Sequence, residues 1–415
     1  MNRKNLLSGG AFLTVGTIIQ ALTGLASQLV LMRLLLPENF GEFATILSAA
    51  SLSQVLLSFR LNIQIIRLSD VELTAQRREL YQAALVWETA VAASVSLIWL
   101  GAAGLLSAYA LILIASLTVA QWMSLHVAFL ERKLSYRRIA TIETGSQVVG
   151  HLIAMACVLV GLGPASLYFR ELIIVLLRLG AFGRMGALAP PRLRLPTRKK
   201  VRQLIVETRS LWLDGVLDNG FARMIVLAAA GTGGSHGAGI FAQSHRLAIT
   251  PHQILSPVVM RMSGNLFSRI TDHALRRTLL LRLLGASLVL LLPVAALAVM
   301  FADPLIPKII GEHWRGAVST IMAMAGVIVF LSAFELLRGY CLSRHLIRVI
   351  IVGRAIQYAV FVAACVMATL AGSPIVVLAW GLSAAYALAF AALFAGILGW
   401  SANDDQPDSP KSPAR

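Results

Sequence analysis

Charged side chains interrupt the apolar runs of this sequence at few places, and those places are where chemistry would sit. Arg170 and Glu171 follow a turn at GLGPA, and Arg178 stands further along the same run. Asp214, Asp218 and Arg223 share the next run, His245 and Arg246 the one after it, and Glu88 and Glu143 stand in two earlier ones. A charge at the centre of a bilayer costs roughly 2.5 to 3.5 kcal/mol on insertion scales, so each marks a functional position by default. At about 1.5 Å of rise per residue, Arg223 lies about 22 Å from one end of its helix if that helix starts near Thr208. Arg170 and Arg246 lie about 9 to 10 Å from the other end of theirs, hence about 20 Å from the first side of a core roughly 30 Å thick. Three guanidiniums thus fall in one layer. Facing a common water-filled cavity, they would hold an anionic group, and their planar forks suit phosphate oxygens. Arg178, nearer an end, reads as a snorkelling residue.

Asp214 and Asp218 are spaced i and i+4, so they share one helix face. They serve either as a proton or cation site or as counter-charges for Arg223 and a neighbour. Glu88, beside Trp87, either relays protons or pairs two helices. His126, His151 and His252 are isolated and read as hydrogen-bonded interior residues. Cys157, Cys341 and Cys365 have apolar flanks and no partner at ligand spacing, which suggests neither a disulfide framework nor a structural zinc. The sequence has no phosphate-gripping P-loop motif, no HExxH, no GxSxG and no compact acidic metal cluster. The expectation is a protein that is not an enzyme and holds no metal or other cofactor, with a proton or sodium gradient as the source of coupling.

The elements that must position these groups are membrane spans. The 415 residues are 58% apolar and 13% charged, with a mean hydropathy of +0.78, which excludes a water-soluble globular enzyme. A crossing needs about 20 apolar residues, and the runs from Leu6 to Trp400 give about twelve of them. Of the 36 Lys and Arg residues, 29 fall on one side of such a count and three, Arg33, Lys308 and Arg315, on the other. That asymmetry places both termini in the cytoplasm and assigns the +17 net charge to membrane sidedness, with no nucleic-acid partner. The stretch Pro190 to Arg202, PPRLRLPTRKKVR, divides the chain. The expected layout is an N-terminal six-helix lobe at 1–189, a basic cytoplasmic connector at 190–205, a C-terminal six-helix lobe at 206–400 and a disordered cytoplasmic tail at 401–415. The connector either lies along anionic lipid or is a long loop that simply collects basic residues. Outer loops are short, the longest running from about 302 to 316, which disfavours an enzyme that polymerises or ligates sugars. Pro251, Pro257 and Pro293 should bend their helices. The fold class is all-α: a polytopic membrane protein of about twelve transmembrane helices in two six-helix bundles around a central cavity.

Three short stretches carry a resemblance. Arg33 to Ala44, RLLLPENFGEFA, is similar to an Arg-x-Leu-x-Pro-x-x-Phe/Tyr-Gly-x-Tyr/Phe pattern. Gly231, then Gly239-Ile240-Phe241-Ala242-Gln243, His245-Arg246-Leu247 and Pro251 resemble a Gly…Gly-x-Tyr-x-x-Ala-x-x-Leu…Pro stretch, and Gly311-Glu312-His313-Trp314 resembles a Gly-x-x-Trp. Together they resemble the Wzx-type oligosaccharide flippases of the multidrug/oligosaccharidyl-lipid/polysaccharide (MOP) exporter superfamily. Gln243-Ser244-His245 departs from the small apolar residues commoner in that family. GEFA at 41–44 and GIFA at 239–242 echo each other as an internal repeat would. The resemblance implies a two-lobed bundle whose cavity alternates between faces and moves a polyprenyl-diphosphate-linked oligosaccharide outward across a bacterial inner membrane. In that reading Arg170, Arg223 and Arg246 hold the diphosphate, and Asp214, Asp218 and Glu88 serve ion or proton coupling. The partners are the lipid-linked oligosaccharide, membrane lipids and other polysaccharide-assembly proteins. The rivals are a cation-coupled multidrug exporter of the same superfamily, which should favour acidic and aromatic residues over arginine, and an integral-membrane polymerase or ligase.

Overall fold

Long apolar runs separated by capping residues and prolines fold into helices, and no strand forms among the described residues. The computed structural model describes residues 3–404 apart from 134, 192, 271 and 345, with side chains described except at 3–14, 256–266, 268, 269, 273 and 400–404. Of the tail expected to be disordered at 401–415, residues 401–404 continue α14 and 405–415 lie outside the described residues, as does the side chain of Pro257. In chain order the helices are α1 (Arg3–Leu34), α2 (Pro37–Leu57), α3 (Leu61–Arg67), α4 (Ala75–Ala102), α5 (Ala108–Arg132), α6 (Tyr136–Leu159) and α7 (Ala165–Arg184). There follow α8 (Arg198–Gly215), α9 (Phe221–Arg269), α10 (His273–Ile309), α11 (Gly316–Ala323), α12 (Ala325–Ser343), α13 (Ile347–Leu370) and α14 (Pro374–Asp404). Local chemistry sets several starts. Pro37 opens α2, where a missing N–H costs nothing. Thr74 and Ser107 cap α4 and α5 by accepting from the backbone N–H of Arg77 and Ala110.

Among the described residues, ten stretches are long and apolar enough to cross a membrane. Two features reconcile this with the twelve expected. The helix α7 has the length but also holds Arg170, Glu171 and Arg178, and the 58-residue stretch Arg198–Leu255 breaks at Gly234, whose φ of 63° and ψ of −163° are not helical. Within the glycine-rich stretch 231–234 the helix is thus kinked at a single residue. The expected outer loop at 302–316 also shrinks, because α10 continues to Ile309. Half of the expected connector is helical too, since α8 begins at Arg198.

Packing forms two compact units, residues 1–243 with 306–315, and residues 244–305 with 316–415. The first unit thus groups 206–243 with the N-terminal helices, a division different from a cut at 190–205. The reason is local. At one end of this unit α2 crosses the chain just after the Gly234 kink at backbone contact: a Cβ on Gly41 would stand 1.7 Å from the Ser235 carbonyl oxygen, and one on Gly239 would stand 1.8 Å from that of Pro37. Two facing glycines are what lets helices approach this closely. The third motif joins them, as Trp314 is fully buried, donates its indole N–H to the Met32 carbonyl at 2.7 Å and meets Phe40 edge to face at 5.5 Å. Parts of all three stretches that carry the family resemblance, through Gly41, Gly239 and Trp314, therefore pack in the first unit. At the opposite end, rich in arginine, Arg132 donates to the carbonyls of Ile65 and Leu68 and to Asp70, tying α5 to the segment after α3.

The second unit packs around Phe334, Leu337, Ala389 and Leu393. Inside it, Glu335 bridges Arg338 at 2.8 Å and Arg354 at 3.2 Å, and the Arg354 guanidinium lies 4.7 Å from the centre of the Phe334 ring. Arg354, one of the 29 basic residues counted on one side of the membrane, is buried.

Candidate anion-binding site

The last turns of α2 carry a polar edge, Ser51 and Gln54, that continues at helical spacing into the C-cap residue Ser58. The helix stops at Leu57, and the helical path is broken by Arg60 in the left-handed region, φ 54° and ψ 37°, the one non-glycine residue with positive φ among the described residues. An L side chain pays roughly 1 to 2 kcal/mol for that conformation, so other contacts must hold it there. Glu88 supplies them: its carboxylate accepts from the backbone N–H of Phe59 at 2.9 Å and from the Gln121 amide at 3.0 Å. Ser58 accepts from the Arg60 N–H at 3.1 Å and from Gln121 at 3.4 Å. Space for the guanidinium comes from Gly215, where a Cβ would stand 3.0 Å from Arg60 Nε.

The break opens a cavity of about 240 Å³ inside the first unit. The polar edge of α2 and Gln121 of α5 line one side, Arg60 and Asn62 the base, and Asn219 and Arg223 the other side. Asn219 belongs to a π-helical turn, Val216–Gly220, between α8 and α9. Trp212 docks this segment by donating its indole N–H to the Leu56 carbonyl at 2.8 Å. The lining holds two guanidiniums, neutral amides and hydroxyls, and no carboxylate. Glu88 stands behind it, its oxygens occupied. Arg60 Nε is buried without a hydrogen-bond partner, and an unpaired buried donor is costly. A small chamber lined by two guanidiniums, neutral amides and hydroxyls, with its neighbouring carboxylates outside the lining, is suited to an anion with several oxygens.

Of the three arginines expected to converge, the structure puts Arg223 in this chamber. Arg170 is buried and taken up by Glu171 at 2.7 Å, with its guanidinium 5.6 Å from the Phe43 ring centre. Glu171 also acts on Arg223 as a through-space charge. Arg246 belongs to the second unit and is not without a partner. Asp214 is exposed on α8, Asp218 lies in the π turn, and both have electrostatic or hydrogen-bond partners. Glu88 is a clamp on the α2–α3 break. Arg178, with Glu131 and Glu143, lines a second cavity of about 240 Å³ that shares Asn62 with the first. Arg60 is the site residue that sequence reading missed, because it counted as one more basic residue at a span end. The available signal was the polar edge of α2 leading to it.

Residues 30–319 match the profile of a family described as polysaccharide biosynthesis protein. No curated protein matches the chain. Solved structures similar to it include the lipid II flippase MurJ in an inward closed conformation, at 12% identity over 93% of this chain and 87% of that one, with a TM-score of 0.75. An inward-facing multidrug resistance MATE family transporter of the MOP superfamily aligns at 14% identity over 94% and 96%, TM-score 0.65. A mutant of the Vibrio cholerae MATE transporter VcmN aligns at 15% identity over 97% of both chains, TM-score 0.61. At such identities the likeness is one of fold, and it is the fold of multi-pass membrane transporters. The profile spans well over half of the chain, from the end of α1 into α11, and on that match this multi-pass membrane protein belongs to the polysaccharide biosynthesis protein family.

Proposed function

We propose that the chain moves a polyprenyl-diphosphate-linked oligosaccharide from the cytoplasmic to the outer leaflet of a bacterial inner membrane, with Arg60 and Arg223 binding the phosphates. The observation that carries this reading is the carboxylate-free chamber holding two guanidiniums, within a family of polysaccharide biosynthesis proteins. The arginine-rich end of the first unit faces the cytoplasm, as the side where Lys and Arg concentrate does in most membrane proteins. The lipid tail stays in the bilayer while electrostatics holds the headgroup, so no bond is made or broken. Asp214 and Asp218 remain the proposed pair for coupling to a proton or sodium gradient, and Glu88 positions Arg60. A cation-coupled drug exporter would need negative charge where this chamber has positive.

The test is complementation of a strain whose surface polysaccharide depends on this chain. Arg60→Ala and Arg223→Ala should each lower surface polysaccharide about tenfold or more, the effect of losing one charge-assisted contact of about 1.5 to 3 kcal/mol. Lipid-linked precursor should accumulate in the inner leaflet. Normal polysaccharide from the double variant would overturn the proposal.

A further inference from the structure

The connector and α8 carry a charged face that the chamber does not use. Arg194, Arg198, Lys199, Lys200, Arg202 and Arg209 are all exposed, and the single carboxylate between positions 194 and 209, Glu207, is paired with Arg77 at 2.7 Å. Aliphatic side chains stand out among these cations: Leu193 is 75% exposed and Leu195 68%. The inner stripe of α8, through Leu204, Thr208 and Leu211, is buried, so the outer face is left to its surroundings. Bare leucines beside cations suit neither water nor hydrocarbon. They suit the headgroup plane, where apolar stems enter the acyl layer and charges meet phosphate.

A groove of about 660 Å³ opens here between the first turns of α4 and the connector. Leu80 and Ala83 form one wall and Leu193 and Leu195 the other, with Arg194 and Lys200 at the rim. Glu79 also reaches the groove and is already engaged by a neighbour. We propose that this groove seats an anionic phospholipid, its phosphate between Arg194 and Lys200 and its upper acyl chain along the two leucines. The occupant is chosen by charge complementarity: the rim adds two cations to a face already dominated by them, and anionic lipid is the abundant polyanion at that depth. The groove adjoins Lys200 of α8, a helix that runs on through the π turn to Asn219 and Arg223, so a seated lipid steadies the element that presents the chamber. The proposal needs only that the chain sits in a bilayer.

The test uses the full-length protein in phosphatidylcholine nanodiscs with and without phosphatidylglycerol, reading retained lipid by native mass spectrometry and the thermal midpoint in each. Phosphatidylglycerol should be retained about thirtyfold over phosphatidylcholine, the effect of two basic residues at the surface, and should raise the midpoint. Arg194→Gln with Lys200→Gln should abolish both effects, whereas Arg277→Gln with Arg282→Gln, an equal change of charge at exposed positions of the second unit, and Arg223→Ala should leave them intact. Equal retention of the two lipids by the unmodified protein overturns the proposal, as does equal loss in the two double variants. Displacement of phosphatidylglycerol by polyprenyl phosphate also overturns it, by making the groove a substrate seat.

Discussion

Arg60 shows how neighbours fix the position of one side chain. Its guanidinium is aimed by a left-handed backbone, a serine, a glutamine and the Glu88 carboxylate, none of which would bind the anion alone. Two substitutions at Glu88 separate clamping from ion coupling. Glu88→Gln keeps an oxygen for the Phe59 N–H, so transport should persist with an unchanged dependence on the proton or sodium gradient, measured in reconstituted vesicles. Glu88→Ala leaves buried donors unpaired, at about 1 to 3 kcal/mol each, and should both lower the thermal midpoint and reduce transport. Loss of gradient dependence in Glu88→Gln would return that residue to a coupling role.

At the scale of elements, the glycine crossing between α2 and α9 brings backbone against backbone, where a Cβ on Gly41 or Gly239 would stand 1.7 or 1.8 Å from a carbonyl oxygen. Gly41→Ala or Gly239→Ala would drive a methyl into a carbonyl, where neither backbone can give way cheaply. Overpacking costs typically about 1 to 3 kcal/mol, and more where main chain is struck. Each variant should lower the thermal midpoint in detergent by several degrees, with Gly41→Ala and Gly239→Ala together less than additive because they strike the same contact. At the other end, Arg132 holds the Asp70 carboxyl below the ordinary carboxylate range, and the backbone N–H and hydroxyl of Ser69 do the same for Glu72. A depressed carboxylate stabilises the fold above its unfolded value, about 3.9 for Asp and 4.3 for Glu, and that contribution is lost as pH falls through the folded value. The α3–α4 connection should therefore loosen only below about pH 4, seen as faster amide exchange at residues 68–74, and Asp70→Asn should remove part of that pH dependence. Both groups are exposed to solvent, so the effect is small.

For the whole molecule, sidedness is the property that organises the rest. Single cysteines at Asp70 and Lys199 should react with an impermeant maleimide only from the cytoplasm, and one at Lys308 only from outside, in a background lacking Cys157, Cys341 and Cys365. The reverse pattern would invert the direction of transport proposed above. Helix content, membrane class and the charge asymmetry were legible in the sequence, because each depends on local composition summed over about 20 residues. The kink at Gly234, the helical half of the connector and the short α3 were not, since apolar runs do not encode where a helix bends. The chamber was half legible: Arg223 stood out as a charge in an apolar run, whereas Arg60 hid among span-end basics and Arg170 turned out to be neutralised by its own neighbour. Which charges meet depends on the rotation and register of helices far apart in the chain, and those are set by contacts such as Gly41 against Gly239 and Trp212 against α2. Composition alone thus determined that the chain lives in a bilayer, while only tertiary packing decided that Arg60 and Arg223 share a chamber and that Gly41 meets Gly239, because pairing across helices is a property of no single segment.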